Sequence, residues 1–140
     1  MNDNELIRRA AEFRSRAYAP YSGFAVGAAL LAASGRVYGG ANIENASYPV
    51  GICAERTAIA AAVTAGERAF EALAVIADSP APCAPCGMCR QMLMEFPLKR
   101  VILANTAGAV RVLTPAELLP HAFGAAALPV KEHTDENTDC

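Results

Sequence analysis

Tryptophan is absent from this chain, and four tyrosines and five phenylalanines are all the aromatic residues among 140. The 54% hydrophobic content therefore comes mostly from small residues, alanine above all, as in the runs Ala58–Val63 and Ala125–Ala127. Helices built this way let backbones approach closely, which suits packing on a sheet or against another subunit. A cluster of lysine and arginine is also missing. Twelve basic residues against fourteen acidic ones leave a net charge of −2. A polynucleotide partner normally requires a basic stripe that displaces counterions, so a nucleic acid polymer is not expected. No apolar run approaches the ~20 residues of a membrane span, so no membrane partner is expected. The polar, acidic first residues are unlike a secretory signal, and a cytoplasmic location is expected. Linkers, low-complexity stretches and internal repeats are lacking ahead of the C-terminal tail. The expectation is one domain over residues 1–128, followed by a polar tail over 129–140 whose composition reads as disordered.

Cysteine is what the chain does contain, in an odd number, five. In a reducing compartment a Cys-x-x-Cys pair points to metal or redox chemistry rather than a disulfide. Three of the five lie in two short motifs, Cys53-Ala-Glu55 and Pro85-Cys86-Gly-Met-Cys89. A structural zinc site is normally closed by four protein ligands, whereas a catalytic one keeps three and leaves a position open. Cys53, Cys86 and Cys89 are accordingly the expected ligands of one Zn2+ per chain. Glu55, two residues from the first thiol, is the expected general base and not a ligand. Cys83 and Cys140 are left over, Cys83 as a bystander thiol. A structural zinc module for protein interaction is the reading from a different class; it needs Cys83 as fourth ligand and leaves Glu55 without a role.

The apolar pattern places these motifs. Leu6, Ala10, Phe13 and Ala17 recur at helical spacing, with Pro20 as the latest end. Phe24 to Leu31 reads as a buried strand, and Ser34-Gly35 as a hairpin turn into a second strand from Arg36 to about Glu44. Cys53 to Ala65 reads as a helix closed by Gly66, and Ala72 to Ala77 as a third strand. A proline-rich loop leads to a helix from Gly87 to Phe96. Val101–Ala104 and Val110–Leu113 flank a Thr-Ala-Gly turn, and Thr114 caps a short helix from Pro115 to Leu119. Helices alternating with strands favour an α/β three-layer sandwich, a mixed five-stranded sheet flanked by helices. Both halves of the thiol motif then open helices, where partial positive charge favours thiolate. Three thiolates on one zinc ion leave a net charge of −1. Arg56 is expected to offset it by donating to ligand sulfurs. Arg90 either does likewise or lies on a solvated helix face.

The order Cys-x-Glu, then Pro-Cys-x-x-Cys, is similar to the signature of zinc-dependent nucleobase deaminases. Around it, the segments Ala19-Pro-Tyr-Ser-Gly-Phe24, Asn42 to Ala58, Pro85 to Gln91 and Glu117 to Phe123 resemble the small homotetrameric cytidine deaminases. The resemblance implies zinc-dependent hydrolytic deamination of cytidine and 2′-deoxycytidine in pyrimidine salvage. Zinc would activate the attacking water while Glu55 shuttles protons. It implies that Asn42 and Glu44 hold the ribose hydroxyls, that Phe24 lines the pocket, and that the Ala54 N–H donates to the pyrimidine 2-carbonyl. It also implies that Tyr48 sits at a rim shared between subunits and that Phe123 reaches the base from a neighbouring subunit. The alternative within the class is a deaminase of another cytosine nucleoside, such as an aminoacylated nucleoside antibiotic.

Overall fold

The computed structural model describes residues 1–129, so the expected tail lies outside the described residues, Cys140 included, apart from Pro129. Along the chain run α1 (Asp3–Arg14), β1 (Val26–Ala32), β2 (Val37–Ala41), α2 (Ala54–Thr64) and β3 (Phe70–Ala77). They are followed by α3 (Gly87–Glu95), β4 (Leu98–Asn105), β5 (Val110–Leu113) and α4 (Pro115–Leu118). Short 3-10 turns at Tyr48–Val50 and Ala125–Ala127 were not expected from the sequence. The strands form one sheet in the order β2-β1-β3-β4-β5. Only β3 and β4 are parallel, and α3 supplies the crossover such a pair requires. The mixed sheet and its flanking helices are the architecture anticipated.

Alternation along the strands builds two cores. Leu73, Val75 and Ala77 of β3 face α2 and α3, with Leu30 of β1 and Leu103 of β4. Ala72, Ala74 and Ile76 face α1, where they meet Leu6 and Ala10. Two glycines set how closely helices approach. A Cβ at Gly27 would overlap the Ala10 carbonyl oxygen, and one at Gly40 would overlap the Ala54 carbonyl oxygen and the Ala58 nitrogen. Backbone therefore lies on backbone on both faces.

Several element ends differ from expectation. α1 stops at Arg14 instead of reaching Ala17, because the next N–H groups tighten to i−3 carbonyls and Tyr18 N–H turns to Asn42 O. β1 begins at Val26, not Phe24, and β2 ends at Ala41, not Glu44. The segment past β2 pairs instead with two isolated partners, Tyr18 and Ile52, both through Ile43. β4 starts three residues early, at Leu98. Thr114 caps α4 as expected, in a full capping box with Glu117.

Candidate active site

Cys53 is the N-cap of α2 and Cys86 the N-cap of α3, with Cys89 in the first turn of α3. The two helices start at the same place because α2 lies on β2 and β1 while α3 follows the loop leaving β3. Their first turns bring the three sulfurs within 4.8 Å of one another, Cys53 Sγ and Cys86 Sγ being 3.8 Å apart. Among the described residues this is the one group of three or more such side chains close enough to hold a metal ion, and Cys83 is not in it. α2 turns Glu55 inward on the same face as Ala58, Ile59 and Ala62, and the carboxylate is only 4% exposed. Cys89 Sγ donates to Glu55 Oε2 at 3.2 Å.

Charge in this cluster is strained toward a cation. The neighbouring Cys89, with Arg56 and Cys86 adding to it, pulls the Cys53 thiol down to about 5. Cys89 is pushed up, first by its contact with Cys53 and then by burial. Burial above all raises the Glu55 carboxyl. Three sulfurs this close repel one another as thiolates, so a cation is what lets all of them ionise. Soft thiolates suit zinc. The Arg56 guanidinium reaches Cys53 Sγ at 4.0 Å through Nη2, and its Nε is buried with no hydrogen-bond partner among the described residues. That buried donor lies where a thiolate-rich metal centre supplies negative charge. The residues fit the metal.

Arg90 does neither of the two things expected of it. Its Nε donates to Pro85 O and its Nη1 to Leu118 O, both at 2.8 Å, so it ties the loop before Cys86 to α4. Cys83 is buried, its N–H bonded to Ala104 O, and burial raises its thiol to about 11. It is a neutral side chain beside the cluster.

A cleft of about 190 Å3 opens over the thiols. Phe24, Val26, Asn42 and Ala54 line it together with Cys53, Glu55 and Cys86, and Cys83 contributes to its wall. As the first residue of α2, Ala54 keeps its N–H outside the intrahelical ladder. A second cleft of about 300 Å3 has Glu44, Tyr48, Tyr21 and Ser22 on its walls. Asn42 lines the first cleft and Glu44 the second, so the Asn42–Glu44 segment links the two. Phe123 is 60% exposed, and α3 fixes only its backbone, Gln91 Nε2 donating to Phe123 O at 2.8 Å. It lines neither cleft of its own chain among the described residues.

Sequence reasoning missed the residues that hold Glu44. Its Oε1 accepts from the N–H groups of Tyr21 and Ser22, each at 3.0 Å, and its Oε2 accepts from Ser22 Oγ. The Ser22 bonds, the hydroxyl first, hold this carboxyl below the usual carboxylate range. The turn residues Pro20-Tyr-Ser-Gly23 were the available signal, since serine at such a bend seeks a nearby polar partner.

The chain is similar to known proteins. Residues 1–105 match the cytidine and deoxycytidylate deaminase zinc-binding region. The cytidine deaminase of Sporosarcina psychrophila is 50% identical over 125 residues, covering 88% of this chain and 92% of the relative. That of Halalkalibacterium halodurans is 50% identical over 127 residues, 89% of this chain and 96% of the relative. The crystal structure of cytidine deaminase from Burkholderia pseudomallei superposes with a TM-score of 0.86 at 49% identity, over 88% of this chain and 100% of that one.

Proposed function

We propose a cytidine deaminase activity for this chain, which belongs to the family of zinc-binding cytidine and deoxycytidylate deaminases. The reaction is hydrolysis of the 4-amino group of cytidine and 2′-deoxycytidine, yielding uridine or 2′-deoxyuridine and ammonia. One observation carries it: a group of three thiols, one of them bonded to the buried Glu55, lies at a cleft lined by Cys53, Cys86 and Glu55 together with Phe24, Asn42 and Ala54.

Cys53, Cys86 and Cys89 would hold zinc, whose Lewis acidity, when bound, lowers the pKa of water toward ~7. Glu55 moves the protons. Its burial favours the protonated form, so it takes a proton from water and delivers it to N3 of the pyrimidine, leaving C4 open to attack. It then carries a second proton to the amino group, which leaves as ammonia. One carboxylate serves both transfers because they occur in one small volume. The Ala54 N–H donates to the 2-carbonyl and fixes the ring's orientation. Phe24 supplies an apolar wall, and Asn42 and Glu44 take the sugar hydroxyls. Arg56 neutralises excess charge on the ligand sulfurs. A structural zinc module is disfavoured because Cys83 stands apart from the three-sulfur group and Glu55 lies within it.

The active form in this reading is a homotetramer in the cytoplasm acting in pyrimidine salvage. Tyr21, Tyr48 and Phe123 are each more than half exposed in the single chain, as are Val50 and Met88, and in this reading a neighbouring subunit covers them. A neighbour's Phe123 would complete the cleft, and Tyr48 would lie at the shared rim. Ala60 and Ala61 are exposed on the outer side of α2. Ala61→Arg is therefore expected to give smaller, poorly active species by light scattering; a fully active wild-type monomer would sink the shared site. The activity itself is tested by incubating the zinc-loaded protein with cytidine and following ammonia release. No ammonia from a protein carrying one zinc per chain would overturn the assignment.

A further inference from the structure

We propose that Ser22 is a positioning residue of this site, its hydroxyl joining the carboxylate at the sugar end of the site to the backbone of the aromatic wall at the base end. This rests on the reading that Glu44 takes a sugar hydroxyl. The joint is a chain of two hydrogen bonds through one oxygen. Ser22 Oγ donates to Glu44 Oε2, and the same Oγ accepts from Phe24 N–H at 3.0 Å.

Each end of that chain depends on it. The Phe24 ring is 45% exposed, so packing within this chain does not fix it and its place follows from its backbone. That backbone is held at two points. Ser22 Oγ takes the N–H, while Asn42 Nδ2 donates to the Phe24 carbonyl at 2.7 Å. Asn42 Oδ1 also accepts from Val26 N–H at 2.9 Å, which anchors the far end of the segment. Phe24 and Val26 both line the cleft over the thiols, so the Asn42-x-Glu44 pair staples the strip of chain that forms one of its walls.

At the other end, an ionised carboxylate has about four acceptor sites. Tyr21 N–H, Ser22 N–H and Ser22 Oγ occupy three of them. What remains suits one incoming hydroxyl, presented to a carboxylate that cannot rotate while Ser22 holds it. Removing the Ser22 hydroxyl frees the carboxylate to turn and releases the Phe24 N–H together. The loss should appear in binding, because neither end touches the proton transfers of Glu55.

The test compares Ser22→Ala, Ser22→Thr and Glu44→Gln with wild type, using cytidine as substrate and 2′,3′-dideoxycytidine, which lacks both ring hydroxyls, as competitive ligand. Zinc content is measured for every variant. Ser22→Ala is expected to raise KM for cytidine about tenfold, the scale of one lost charge-assisted hydrogen bond, while kcat stays within about twofold. The inhibition constant of the dideoxynucleoside should shift less, through the released Phe24 wall alone, and Ser22→Thr, which keeps the hydroxyl, should restore the cytidine KM. Equal weakening of both ligands would overturn the joint, since the hydroxyl would then act on the aromatic wall alone and not on the carboxylate. An unchanged cytidine KM in Ser22→Ala beside a raised one in Glu44→Gln would also overturn it while leaving the sugar contact standing. Glu44→Gln with no effect on cytidine would remove the sugar contact and the inference with it.

Discussion

The two faces of the sheet are built by the same device and carry different loads. On each, a glycine lets a helix lie backbone to backbone on the strands: Gly27 under α1, Gly40 under α2. The α1 face is closed by Leu6, Ala10 and the alanines of β3, with polar ties only at its margin, where Arg14 Nε donates to Ala25 O and Arg100 pairs with Asp3. On the α2 and α3 face the same close packing ends in a knot of three thiols, a buried carboxylate and an arginine. Small residues therefore serve stability on one side, while on the other they also fix where a reactive group points.

The sharpest break in that comparison is Glu55→Gln. It should keep fold and zinc and lose about 10⁴-fold or more in turnover, because an amide cannot shuttle protons; a variant retaining a tenth of wild-type activity would show that another group moves them. Arg56→Ala should come next, lowering zinc affinity about 10–100-fold in competition with a chromophoric chelator, with the melting temperature of the loaded protein little changed. Normal zinc retention would show that Arg56 does not offset charge on the ligand sulfurs.

The glycines sharpen the contrast directly. Gly27→Ala and Gly40→Ala should each cost about 1–3 kcal/mol of stability, the scale of overpacking. Only Gly40→Ala should also lower kcat, because the atoms it displaces belong to Ala54 and Ala58, on either side of Glu55. Equal loss of activity in both would mean that helix placement on the two faces is not independent. Asp3→Ala should matter least. Its ion pair with Arg100 is about one-third exposed on each side, so the loss should stay below about 1 kcal/mol, with activity intact.

The sequence made α2 and α3 legible to within a residue, since Cys53, Gly66, Cys86 and Pro97 punctuate the chain beside strong helix formers. It also brought three thiols and Glu55 together, through their spacing and its similarity to the deaminase signature. Strand ends were less legible. Phe24 and Ile43 continue the apolar pattern, but the ladder stops short of both: the Asn42 side chain takes the Phe24 carbonyl and the Val26 N–H, and the Ile43 backbone pairs with Ile52. Local periodicity cannot express that substitution. Nor does it say which strands are neighbours, or that Arg90 would spend its donors on two carbonyls far apart in the chain. The bend at Ser22 was legible, but its partner was not, since Glu44 lies 22 residues away.

The meeting of Cys53 and Cys86 has a consequence for how the chain reaches its fold. They are 33 residues apart in sequence, and the intervening chain contains all of α2 and the central strand β3. An ion bridging them acts as a cross-link that closes a loop of this length, and in the chain-entropy picture such a closure is worth about 3–4 kcal/mol against the unfolded ensemble. Ligand binding of this kind is folding free energy as much as site chemistry. Chelator present while the chain refolds should therefore depress the yield of native protein more than the same chelator added once the sheet has formed.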